Sequence, residues 1–436
     1  MSQRRNFRNA CFAIVFLVTS VAAAAHAQTT SRGALPIHRL RVFLLTFGPG
    51  ADPWEKFGHD AIAIIDADTG DGLAYNWGIF DFGQGMGGFL SFSWHFAQGR
   101  LVYSMQSEPI GDILSEYREA NRSILLQELK LTTPQKRALQ ARLVANDTDA
   151  NRYYLYDYFH KNCATMARDA IDQTVDGRVR AALDHLPTGI TYRWQDRRTC
   201  ADTLWLYLFL DFALGHPVDR KLSAWQECFL PGKLAEHLQD VNVPGAEGKL
   251  VPLVSESRVL NVGVFRERNA PPASFVYRFL IAGLSAGGCL TLLAGAGRDF
   301  KLAKWSFYLL GCAWSLLAGG LGALLTFAWF TNHDAAKWNE NWFQGNPLSL
   351  LLIVLVPLAW HWPRAARTLA LAVLALSVLG LIFKISPWGW QSNWTIIAIA
   401  LPIHAAIAWG VGRLNHLSPQ KRVIADCPDG KESVLT

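Results

Sequence analysis

Two residues in this chain could together do covalent acyl chemistry: a cysteine that opens a helix and a histidine that opens a strand. Cys163 stands in Asp157-Tyr158-Phe159-His160-Lys161-Asn162-Cys163-Ala164-Thr165. Asn is a good helix N-cap, so Cys163 is expected in the first turn of a helix running through Ala167, Ala170 and Ile171. There the free backbone N–H groups and the positive end of the helix dipole stabilise a thiolate. Such a thiol is a candidate nucleophile if the fold brings a base to it. Phe57-Gly58-His59-Asp60 offers that base, because the glycine lets the chain turn and the histidine then points from the mouth of a strand. Singly, each residue has a commoner explanation: a buried inert thiol, and a surface or core histidine. His95 and His160 compete as bases, and His59 is preferred to both.

These residues must be positioned by a sheet with helices on it. Leu40 to Phe47 is a mostly apolar run ended by Gly48-Pro49-Gly50 and reads as a buried strand. His59 to Asp66 and Leu73 to Gly78 read as two more, joined by a turn-rich segment. Arg100 to Gln106 and Ile124 to Leu131 continue a small, mostly antiparallel sheet. Thr133-Pro134 starts a helix that should reach Asn146, with Thr133 as its cap. Helices are also expected over Ala201 to Leu214, Lys221 to Phe229 and Leu234 to Val241. The fold class is therefore α+β for this part of the chain.

Composition divides the 436 residues between two solvents. Charged residues, 17% of the whole, crowd before Ala270, while Ser274 to Leu414 is dominated by Leu, Ala, Ile, Val, Phe and Trp. The net charge of +6 forms no run or stripe interleaved with aromatics, so no nucleic-acid partner is expected. Arg4, Arg5 and Arg8, an apolar run from Ala10 to Ala25 and Ala25-His26-Ala27 have the order of a secretory signal cleaved after Ala27. The expected division is a signal peptide over 1–27, an extracytoplasmic catalytic domain over 28–245 and a linker over 246–272. An all-α polytopic membrane domain over 273–414 and a cytoplasmic tail over 415–436 would follow.

Five membrane crossings are expected, near Phe275–Ala296, Trp305–Phe330, Leu348–Trp360, Leu369–Ile385 and Trp394–Val411. With the catalytic domain outside, Arg298, Lys301, Lys304, Arg364, Arg367, Arg413, Lys421 and Arg422 fall inside, as the positive-inside rule requires. Of the seven cysteines, only Cys163, Cys200 and Cys228 would face an oxidising compartment. A Cys200–Cys228 bridge would leave Cys163 as the free thiol.

As a set, several pieces resemble the Lnb family of bacterial lipoprotein intramolecular transacylases, in their extracytoplasmic domain. They are Thr46-Phe47-Gly48-Pro49-Gly50, Phe57-Gly58-His59, Tyr75-Asn76-Trp77-Gly78-Ile79-Phe80-Asp81-Phe82, Phe96-Ala97-Gln98-Gly99-Arg100-Leu101-Val102-Tyr103 and Asn162-Cys163-Ala164-Thr165. The resemblance implies a circularly permuted papain-like fold, with His59 as base and Cys163 as nucleophile. It leaves the orienting group open among Asp60, Tyr75 and Asn76, and makes Asn162, Tyr156 and Tyr158 candidates to line the pocket. The loop with His333, Asp334, Asn339 and Asn341 also resembles the family's membrane-attached members. It reads either as a floor or head-group contact for the site, or as a polar connection that solvates two helix ends. No cofactor is implied, and adjacent His333 and Asp334 make a poor chelate, so no metal is expected.

The resemblance implies acyl transfer from the lipid-modified cysteine of a lipoprotein to an amine, giving a lyso product, through a Cys163 thioester. The implied partners are lipoproteins and membrane lipid, at the outer face of the bacterial inner membrane. The papain-like fold that the resemblance implies also admits a cell-wall amidase or peptidase, and a non-catalytic membrane-anchored binding protein on such a fold is a third reading. A lipid enzyme should open an apolar groove toward the bilayer, whereas a peptidase should open a polar cleft away from it.

Overall fold

Apolar side chains on both faces of Leu40–Phe47 (β1) require cover on both sides, and this strand lies near the centre of a seven-stranded sheet. The structure is a computed structural model that describes residues 39–81, 83–245, 248–387 and 389–415. The expected signal peptide and nearly all of the expected tail lie outside the described residues.

The strands are β1, His59–Asp66 (β2), Gly72–Ile79 (β3), Val102–Pro109 (β4), Ile124–Leu129 (β5) and Tyr153–Leu155 (β6). Pro187–Thr191 (β7) pairs with Lys221–Ser223 (β8), and Asn242–Pro244 (β9) with Leu250–Pro252 (β10), in two small sheets. Val254–Asn261 (β11) lies in the stretch expected to be a linker, yet completes the large sheet at one edge. The order is β11-β5-β1-β2-β3-β4-β6, and every pairing is antiparallel.

The helices are Gly85–Ala97 (α1), Ile110–Glu119 (α2), Thr133–Asn146 (α3), Cys163–Thr174 (α4), Arg178–Leu183 (α5), Tyr192–Thr199 (α6), Leu204–Ala213 (α7), Ala224–Glu227 (α8) and Pro231–Leu238 (α9). The period of two along β1 separates two cores. Leu40, Val42 and Leu44 pack with Leu139 of α3, Ala167 and Ile171 of α4 and Leu234 of α9. Phe43, Leu45 and Phe47 pack with Ile113 and Tyr117 of α2 on the other face. α3 starts one residue from the expected cap: Thr132 accepts from Gln135 N–H, and Pro134 sits in the first turn. The segment expected as a helix from Lys221 is strand β8 followed by the single turn of α8.

The membrane domain holds Val276–Ala296 (α10), Lys301–Ala328 (α11), Ser349–Leu355 (α12), Pro363–Phe383 (α13) and Trp394–Asn415 (α14). Among the described residues, four helices, α10, α11, α13 and α14, are long and apolar enough to cross a membrane. The third expected crossing, Leu348–Trp360, is not formed as a spanning helix, because α12 has only seven residues. Pro357 lacks the N–H that the next turn needs and disfavours helical geometry in the residue before it. The helices approach closely through small residues: a Cβ at Gly283 would lie 2.6 Å from the Ala398 carbonyl oxygen. Arg298 donates to the Arg413 carbonyl at the end of the bundle away from the sheet domain. This is where the charge bias puts the cytoplasmic side.

Cys200 and Cys228 carry free thiols and belong to different clusters of buried side chains, so the expected bridge is not formed.

Candidate active site

The alternation of a strand sends His59 and Asp60 to opposite faces of the sheet. Asp60 faces the α4 side, where its carboxyl accepts from Thr46 Oγ1 at 2.7 Å. Burial and the nearby Cys163 push that carboxyl well above the ordinary carboxylate range. His59 stacks over Phe47 and Tyr117, with ring centroids 6.2 Å away in both cases.

On the same face, His59 Nε2 meets Asn76 Oδ1, and Asn76 Nδ2 donates to Glu108 Oε1 at 3.2 Å. This chain crosses β2, β3 and β4 and fixes a tautomer. The Glu108 carboxyl takes the Asn76 amide N–H, which turns the amide oxygen to His59. His59 therefore carries its proton on Nε2 and presents a basic Nδ1. Of the three candidates, Asn76 is the one that bonds the His59 imidazole. Tyr75, one residue away, points to the opposite core and is buried there.

Cys163 reaches the histidine around the end of the sheet, beside Gly78. A side chain placed on Gly78 would sit 3.9 Å from Cys163 Cβ and 4.0 Å from His59 Cε1. Gly78 has φ +95°, and the β3–β4 register slips between Trp77 and Ile79. Glycine is thus required for the backbone there, and its missing side chain leaves open the space that Cys163 and His59 both border.

Asn162 caps α4 as expected: its Oδ1 accepts from Thr165 N–H at 2.9 Å. Its Nδ2 donates to the Tyr158 and Phe229 carbonyls, so the amide is consumed in holding the start of α4 rather than lining a pocket. Backbone N–H groups of Asp60, Ala164 and Cys163, together with the Arg122 guanidinium, favour a thiolate, but burial outweighs them and raises the thiol's pKa. Burial likewise lowers the His59 pKa, ahead of the opposing bond to Asn76. Both shifts favour a resting pair of neutral thiol and neutral imidazole, an arrangement that suits general-base chemistry.

Tyr156 and Tyr158 line a cleft to which the membrane domain also contributes. Its wall contains Phe96, Leu101, Tyr156 and Tyr158, with Asn332, His333 and Asp334 from the membrane-domain loop. Tyr156 stacks on Tyr103 at 4.2 Å, and Tyr158 is parallel to His333 at 6.1 Å. His95 is exposed and bonded to the Ser91 carbonyl, and His160 pairs with Asp157 at 3.0 Å, so neither competes as base.

The other half of that loop does different work. Asn339 donates to the Phe212 and Ala213 carbonyls, and Asn341 to those of Asp211 and Phe212. These carbonyls end α7 and have no partner within the helix. Asn339 and Asn341 thus bind the sheet domain to the membrane domain and contribute nothing to the pocket, whereas His333 and Asp334 do line it.

Sequence reasoning missed Glu108, Gly78, Tyr103 and Arg122. The first depends on strand register, which one sequence does not reveal; Gly78 stands inside a motif but carries no chemistry of its own to mark it.

Residues 27–199 match the family model of the Lnb N-terminal periplasmic domain. This agrees with the resemblance carried by the motifs around His59, Asn76 and Cys163. No curated protein and no solved structure matches the chain.

Proposed function

We propose, from the Lnb N-terminal periplasmic domain matched over residues 27–199, that this chain is a membrane-anchored thiol acyltransferase acting on lipid-modified proteins. One observation carries the reading. Tyr156, whose phenol feels the charge of the Cys163 thiolate, also lines a cleft shared with the membrane-domain loop. Such a cleft suits an acyl ester held in a bilayer better than a polypeptide approaching from solution.

The Cys163 sulfur attacks the ester carbonyl of the lipid-modified cysteine while His59 Nδ1 takes the thiol proton. The ester C–O bond breaks, the glycerol oxygen leaves with the proton that His59 returns, and an acyl-thioester remains on Cys163. The amine of the same lipid-modified residue then attacks the thioester, and the C–S bond breaks. His59 carries the amine's proton to the sulfur, restoring the thiol. A donor and acceptor anchored in the same leaflet are presented to Cys163 at high effective concentration.

The test uses the full chain in phospholipid vesicles with a diacylglyceryl lipopeptide whose amine is blocked, so that the second step stalls. An acyl mass that hydroxylamine removes from the Cys163 peptide is the expected result, absent in Cys163→Ala. An unmodified Cys163 peptide in the wild type contradicts the reading.

A further inference from the structure

Helix α1, Gly85–Ala97, contains no Asp, Glu, Lys or Arg, and none of its residues is fully buried. Its Met86, Leu90 and Trp94 recur every four residues and form one stripe, exposed by 59%, 59% and 55% respectively. Water-soluble domains seldom leave such a stripe uncovered without a partner for it.

The rest of the helix is held in place. Its inner side rests on an aromatic layer behind the cleft, with Phe92 against Phe80 at 5.9 Å and Phe80 against Tyr103 at 5.1 Å. Its C-terminal end is tied to the end of a membrane span by several contacts. The Trp94 ring lies 6.2 Å from that of Phe327, in the last turn of α11. His333 Nε2 bonds the Phe96 carbonyl at 2.6 Å, and Asn332 N–H donates to the Gln98 carbonyl at 2.9 Å. Gly99, with φ +66°, packs on Asn332 so closely that a Cβ would meet its carbonyl carbon at 2.8 Å.

We propose that α1 lies in the plane of the outer leaflet, with Met86, Leu90 and Trp94 among the acyl chains of the phospholipids that surround α11. Continuity with the span identifies the occupant: Trp94 touches α11 where that helix ends, so the stripe continues the lipid-facing surface of the bundle. The uncharged face, the tryptophan and the charged residues Asp81 and Arg100 just beyond the ends are what an interfacial helix requires. A lipid chain against α1 then lies on a helix whose Phe96 lines the cleft together with Tyr156, which is the respect in which the inference deepens the acyltransferase reading.

The location is tested without reference to catalysis. The full-length protein is reconstituted in phosphatidylcholine vesicles containing a phosphatidylcholine with a diazirine in its acyl chain, then irradiated and mapped by peptide mass spectrometry. Adducts are expected on 86–94 as well as on α10, α11, α13 and α14. In Leu90→Asp/Trp94→Asp the α1 adducts should be lost while those on the spans persist, which also reports that the bundle is intact. Labelling confined to the spans in the wild type, or α1 adducts unchanged in the double variant, overturns the inference. A protein without acyltransferase activity would label in the same way, so failure of one reading is distinguishable from failure of the other.

Discussion

Two clusters of buried polar side chains carry this molecule, and they differ in what they leave unused. Around Cys163 and His59, the Asn76 and Glu108 side chains satisfy one imidazole nitrogen and leave the other, Nδ1, unspent. At the junction, Asn339, Asn341 and Gln391 spend their amide donors on the last carbonyls of α7 and its exit. Arg197 further ties Asp211 to Ser392. Both clusters use the same chemistry, amides and charges bonded across elements. The lesson is that a side-chain amide marks a reactive site when it orients a titratable group, and a weld when it caps a helix.

The comparison breaks most visibly at the nucleophile. Cys163→Ala should lower acyl transfer by at least about a thousandfold while leaving the melting temperature close to that of the wild type, since the removed group is a single sulfur. His59→Gln should come next, with a loss of similar order, measured as acyl-thioester formation at neutral pH.

Asn76→Ala sharpens the account, because it acts through His59. A loss of about ten- to a hundredfold is expected, accompanied by a change in pH dependence. Burial depresses the His59 pKa, so the imidazole is neutral at pH 7 and activity should fall only as pH drops below 6.5. The Asn76 bond favours the protonated form, so removing it should move this acid limb to still lower pH. A limb that moves upward contradicts the assigned tautomer. Asn341→Ala should act on stability instead, costing about 2 kcal/mol by stripping buried carbonyls of α7. Its signature is a lower unfolding midpoint, with the acid limb of the pH profile unchanged.

How much of this was legible depended on whether the signal was local. Asn162-Cys163 could be read because a cap and a helix start are short-range features, and the strands of Leu40–Phe47 and His59–Asp66 because their apolar runs are unbroken. Asn76 could not be separated from Tyr75 and Asp60, since that choice rests on which strand faces share a side. Val254–Asn261 escaped because an exposed edge strand rich in Ser, Glu and Arg has no apolar run to announce it. α1 escaped because Gly83, Gly85, Gly87 and Gly88 read as loop, and its remaining residues have no polar face to set a period. The short α12 follows from Pro357, whose break in the helix is masked in the sequence by the apolar run around it.

The central claim is that Cys163 moves an acyl chain on a lipoprotein. It is tested most directly by fragment mass spectrometry of a lipoprotein's N-terminal peptide from cells lacking any other N-acylating enzyme, which express this chain or its Cys163→Ala form. The account predicts an N-acylated, lyso-glyceryl peptide with the wild type and the unmoved diacylglyceryl peptide with Cys163→Ala. The diacylglyceryl peptide in both strains would contradict it.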